Sequence, residues 1–190
     1  MSIITTIFLF ILALVLAELE VQIEGKHGWA KELPTWKPDQ AKWYARWFSR
    51  AMNQKEMTGY HLTMFSFVLL ILHAPYFYGV NWFWMAELIT LSYYFIFIVV
   101  WDFLWFVLNP HYALKKFDGI HIWWHKKWIG WLPVDYYGGI AISAILHGII
   151  SYIYNISFFE WIINFGLFVG LIVITILVYL LFTGDRVKDL

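Results

Sequence analysis

The sequence predicts an all-α integral membrane bundle of about five transmembrane helices, and three observations carry that reading. Of 190 residues, 62% are hydrophobic and only 14% charged, whereas a soluble domain carries charge on about a quarter of its residues. The apolar residues gather into runs at 2–22, 60–80, 82–108, 136–155 and 158–182, each long enough at about 1.5 Å per helical residue to cross roughly 30 Å of hydrocarbon. The 13 cations are placed asymmetrically: seven lie between residues 26 and 55, four between 115 and 127, and Arg186 and Lys188 follow the last run. The short connections near 81 and 156 carry none. By the positive-inside rule this places the N-terminus outside and the C-terminus in the cytoplasm, in a cell membrane or other energy-transducing membrane. Residues 1–190 read as a single membrane domain.

Net charge is zero, from 13 basic and 13 acidic residues. There is therefore no basic excess of the kind that nucleic-acid phosphates demand. The chain has no cysteine, which excludes disulfides, thiolate metal sites and iron–sulfur clusters. It also lacks a G-x-S-x-G elbow, a P-loop, a glycine-rich dinucleotide fingerprint and the dense histidine boxes of membrane desaturases.

Taken in order, the first run is apolar to Ala17 and then meets Glu18 and Glu20. Val15-Leu16-Ala17 has the small-residue ending of a signal peptide. No basic residue precedes it, so a retained helix is expected. Segment 25–58 should contain an interfacial helix within Pro38–Gln54: Trp43, Trp47 and Ala51 recur every four residues, with Lys42, Arg46 and Arg50 on the neighbouring face. Such a helix would meet anionic lipid headgroups across residues 42–50. Segment 109–135 contains HIWWHKKWIGWL and is expected to form a second amphipathic interfacial helix. The two short connections predict antiparallel hairpins, the second run against the third and the fourth against the fifth. Many of the tyrosines and tryptophans fall near the span ends, where amphipathic rings favour the headgroup layer.

Ionisable groups within spans are costly in lipid and mark functional candidates. One set approaches the cytoplasmic boundary. Asp102 lies six residues before the end of the third run, about 9 Å deep. Glu18, Glu20 and Glu24 close the first run, His61 opens the second, and Asn109, His111, His121, His125 and Asp135 occupy the second connection or its ends. Glu20 and Glu24 share a face if the first helix continues to residue 24, although the alternation in ELEVQIEG also suits an extended exit. His121 and His125 have the i, i+4 spacing with which a helix presents two imidazoles to one metal. A carboxylate and imidazole set without thiolates suits iron, manganese or zinc. The expected site has Asp102, His121 and His125 holding the metal, with Glu20 or Glu24 as bridging ligand or general base.

The second set is deeper. His73 and His147 each lie 12 residues into their spans, about 18 Å from the boundary. Level on different helices, they could clamp a haem or relay protons, with Glu87 in reach of either. Ser143, His147, Ser151 and Tyr154 form a stripe that turns His147 inward. The leading expectation is thus a metal-dependent membrane enzyme acting on a lipid or other hydrophobic substrate. A haem or proton carrier built on His73 and His147, and a non-catalytic subunit or scaffold, are the alternatives.

Overall fold

A computed structural model of the chain describes residues 2–112 and 114–183. Arg186 and Lys188, read above as cytoplasmic cations, lie outside the described residues. The chain is mostly helical. Helices α1 (Ile3–Glu24), α3 (Gly59–Phe77), α4 (Trp84–Leu108), α5 (Val134–Tyr154) and α6 (Phe159–Thr183) are long, and a short α2 (Trp43–Ala51) lies in the first long connection. Five are long and apolar enough to cross a membrane. Strands β1 (Trp128–Ile129) and β2 (Leu132–Pro133) pair antiparallel as a small hairpin before α5.

The helix boundaries follow from local chemistry. Ser2 caps α1 by accepting the Thr5 N–H at 3.2 Å. The helix then runs through Glu18 and Glu20 to Glu24, so the extended alternative for this stretch is not adopted. Gly25, at φ +57°, ends it, returning its N–H to the Val21 carbonyl. Thr58 caps α3, accepting the His61 N–H at 3.2 Å. At its other end α3 stops at Phe77, three residues short of the expected limit. Pro75 cannot donate to the preceding turn, and Gly79 at φ +97° then diverts the chain.

Helix α4 is the centre of the bundle, with α1, α5, α6 and α3 arranged on it. Its buried side includes Tyr93, Phe97, Val100 and Leu104, at alternating four- and three-residue spacing, with Trp101 beside them. Ala13 and Ala17 of α1 are fully buried and let the helix backbones approach closely, as small residues do between membrane helices. Gly139 does the same for α5: a Cβ there would come within 2.6 Å of Val99 Cγ2. Polar side chains join helices across the core. Thr6 of α1 donates to Asn164 of α6, and Ser92 of α4 donates to the Ser143 carbonyl of α5 at 2.9 Å.

Two expectations about packing are corrected. Helices α5 and α6 are joined by a short turn and linked by a hydrogen bond from Trp161 Nε1 to Ser143 Oγ at 2.9 Å, yet α6 packs mainly on α1 and α4. The HIWWH stretch is not helical. Asp118 accepts the N–H groups of Ile120 and His121 at 2.8 and 2.9 Å, as a helix N-cap does, and the Ile122 N–H returns to the Asp118 carbonyl at 3.1 Å, but this single turn is not continued into a helix. Helix α2 does form, though it begins at Trp43 rather than near Pro38. Ala45 and Phe48 are buried while Trp43 and Trp47 are exposed, on a face beside the exposed Arg46 and Arg50.

The long connections gather where α1 and α4 end and α3 and α5 begin, tied by Asn109 Nδ2 to the Gly25 carbonyl at 2.8 Å and by Asn53 Nδ2 to the Lys127 carbonyl at 3.1 Å. This is the basic end of the bundle.

Candidate functional site

At the basic end four carboxylates come indoors from three helices. Because α1 is helical to residue 24, Glu20 and Glu24 lie on one face, both buried. Asp102 reaches the same region from α4, and Asp135 from the first turn of α5. Burying so much negative charge requires compensation. Lys55 supplies part of it: 4% exposed, it places Nζ 2.7 Å from Asp135 Oδ2 and 4.6 Å from the Trp29 ring centre. It is the only buried lysine or arginine among the described residues.

His61, on the first turn of α3, is held by its own cap. Its Nδ1 lies 2.8 Å from Thr58 Oγ1, and Trp29 stacks on the ring at 3.8 Å between centres. That leaves Nε2 directed at the carboxylates, 3.8 Å from Glu20 Oε1 and 3.6 Å from Glu24 Oε1. These gaps exceed a hydrogen bond. They fit donors arranged around a shared cation, since the three residues offer ligand atoms all within 4.8 Å of one another. Thr58, holding the other ring nitrogen, plays the part that an outer hydrogen-bond partner plays for a metal-bound histidine.

A second group adjoins the first. His125, with a fully buried side chain, stands between two aspartates: Nδ1 is 3.1 Å from Asp135 Oδ2, and Nε2 is 3.2 Å from Asp102 Oδ2 without the alignment of a hydrogen bond. Tyr136 donates a short hydrogen bond to the same Asp102 oxygen. Lys55, Asp135, His125, Asp102 and Tyr136 thus form one connected polar chain. Within it Asp102 is the most open carboxylate, its side chain 28% exposed against 11% for Asp135.

Both groups border a cavity of about 410 Å³. Glu20, His61, Asp102, Asp135 and Lys55 lie at its polar end, while Phe65, Phe95, Ile98, Val99 and Ile142 line the remainder. Helix α3 touches α4 lightly and scarcely meets α5, so this wall is thin.

The loop after α1 is shaped by the site. Trp29 and Ala30 adopt positive φ of 48° and 50°, a conformation unfavourable for both residue types. The Ala30 N–H donates a short hydrogen bond to Glu24 Oε1, and Trp29 Nε1 donates to the Glu56 carbonyl at 2.8 Å. The site therefore holds the loop in place.

The remaining candidates lie apart. His121 is 45% exposed and paired with Asp118 at 2.8 Å. It does not join Asp102 and His125, because the helix that would have aligned it is absent. Hydrogen bonds from His121, its backbone N–H first, hold the Asp118 carboxyl below the usual carboxylate range. Glu18 is exposed and accepts from Gln22. His111 is exposed, and its N–H caps onto Asn109 Oδ1 at 3.0 Å. Asn109 is fully buried but serves the loop. His73 sits about one turn from the far end of α3, since that helix ends early. Both its nitrogens are engaged, by the Leu69 carbonyl at 2.7 Å and by Glu87 at 3.1 Å. His147 is buried with neither ring nitrogen hydrogen-bonded, against Phe158. Lys55, Tyr136 and Trp29 are site residues that sequence spacing did not single out. They come from three separate segments, and only the six-residue interval from Lys55 to His61 hinted at a link.

The chain matches no protein-family model, no curated protein and no solved structure.

Proposed function

We propose that the chain is an integral membrane protein with its basic end in the cytoplasm, acting as a metal-dependent enzyme on a lipid or other hydrophobic substrate. The observation that carries this reading is the crowding of carboxylate and imidazole donors at one end of the bundle. Glu20, Glu24, Asp102 and Asp135 meet one buried lysine, and the Glu20, Glu24 and His61 donors surround a common point across gaps too wide for hydrogen bonds. A divalent cation, iron, manganese or zinc by its oxygen and nitrogen donors, would supply the missing positive charge. The metal set thereby moves from Asp102, His121 and His125 to Glu20, Glu24 and His61. Asp102, open to the cavity and backed by His125, Asp135 and Lys55, takes the acid–base role. The apolar chamber beside it suits a substrate drawn from the bilayer. Topology is supported by the 11 cations between residues 26 and 127, all of which fall in the two long connections at the basic end.

Metal analysis of the purified protein, with its visible spectrum, tests the reading. Stoichiometric iron, manganese or zinc is expected in the wild type and in His121→Ala, with loss in Glu20→Gln and in His61→Ala. Retention of the metal in both of those variants would sink the assignment. A Soret band would move the reading to haem on His73 and His147, and neither metal nor haem would leave a non-catalytic subunit.

A further inference from the structure

The cavity has a direction. At its outer rim stand Arg50, from α2, and Lys127, both exposed and neither in an ion pair with a described residue. Next come the carboxylates and His61. Beyond these the lining turns apolar and runs down the bundle, from Asp102 to Phe95 on α4 and from Asp135 to Ile142 on α5. Seven helical residues correspond to about 10 Å of depth. At about 410 Å³ the space lies near the lower end of the roughly 300–1,000 Å³ typical of small-molecule pockets. One chain fits there, and a two-chain lipid does not.

We infer that this cavity binds a single-chain amphiphile with an anionic head, the head at Arg50 and Lys127 and the chain between α3, α4 and α5. The inference deepens the enzyme reading above by naming the substrate class, and rests on it only for the chemistry that follows binding. Charge supports the sign of the head. Lys55 is paired with Asp135 at 2.7 Å, whereas Arg50 and Lys127 have no ion-pair partner among the described residues and stand on the solvent side of Glu20 and Asp102, where an anionic head would meet them first. Order along the cavity supports the site of reaction: the ionisable cluster lies between rim and chamber, so the bond presented to Asp102 is at the junction of head and chain, not within the chain.

Gly138 offers a way to block the chamber alone. It lines the cavity, and a Cβ built there meets nothing within 4 Å. Gly148 on the same helix also has open space around its Cβ but does not line the cavity, so Gly148→Leu is the matched control. The measurement is saturable binding of radiolabelled dodecyl phosphate to the full chain in phosphatidylcholine nanodiscs. Wild type and Gly148→Leu should bind it with the same affinity, and Gly138→Leu should abolish the saturable component. The double variant Arg50→Ala/Lys127→Ala should weaken it about tenfold or more, at roughly 1 kcal/mol for each interfacial cation. Dodecyltrimethylammonium should not compete.

No saturable binding in the wild type, undiminished binding in Gly138→Leu, competition by the ammonium probe, or displacement by inorganic phosphate alone would each overturn the inference. Metal content read on the same preparations separates the two proposals. Binding without metal retains the amphiphile site and removes the metal enzyme, whereas metal without binding does the reverse.

Discussion

The two ends of the bundle handle buried polar groups differently. Towards the far end the partly exposed polar groups meet in close pairs, His73 with Glu87 at 3.1 Å, Trp82 with Glu87 at 2.8 Å and Tyr76 with Thr90 at 2.8 Å, and the buried His147 is the exception, with neither nitrogen hydrogen-bonded. Such pairs act as glue between helices, each worth only about 0.6 kcal/mol on average in a membrane protein. Inside the basic end four carboxylates meet one buried cation, Lys55, donors face one another across gaps, and a cavity opens beside them. Polar residues in a membrane helix thus need to be read by whether their partners complete them.

The largest effect should come from Lys55→Met. It removes the buried cation and strands Asp135, a loss of about 3–5 kcal/mol for a broken buried pair, read by thermal unfolding in detergent. Lys55→Met/Asp135→Asn should recover much of it. A Lys55→Met protein as stable as the wild type would place the two ends in one class.

Thr58→Val comes next. Freeing His61 Nδ1 should weaken metal binding about 10–100-fold, and losing the helix cap should cost about 1 kcal/mol. Metal titration separates the first effect from the second.

Glu87→Gln at the far end should cost only about 0.6–1.5 kcal/mol and leave metal content unchanged. Metal loss there would erase the contrast between the ends.

The smallest effect concerns the Asp118 turn. Its carboxyl titrates below the usual range. The support it gives is therefore complete above the ordinary carboxylate pKa and lost only as pH falls through the depressed value. The protection of the Ile120 and His121 amides, taken relative to the intrinsic exchange rate at each pH, should hold at neutral pH and fall only in acid, and Asp118→Asn should remove it throughout. A change near neutral pH would contradict the assignment.

The apolar runs made the five long helices legible, because length and hydropathy are properties of contiguous residues. Glu20 and Glu24 were legible for the same reason, as two residues of one helix. His121 was misplaced because spacing presumes a helix, and the turn that Asp118 caps ends after Ile122. Lys55, Tyr136 and Trp29 escaped notice because their roles depend on segments distant in sequence meeting at one end. The main packing of α6 on α1 and α4 was not legible, because a short turn fixes where a helix starts without fixing where it leans, and α6 meets α5 chiefly through Trp161 and Ser143.

The close approach of α5 to α4 at Gly139 has a practical consequence for protein engineering. Two backbones in contact fix one side of the chamber, while α3 forms the other with little purchase on its neighbours. Ile142 on α5, well down the helix from Asp135, is then a position where the volume of the chamber can be changed with the frame kept, whereas Phe65 on α3 lies against the His61 and Trp101 rings and ties the chamber to the site.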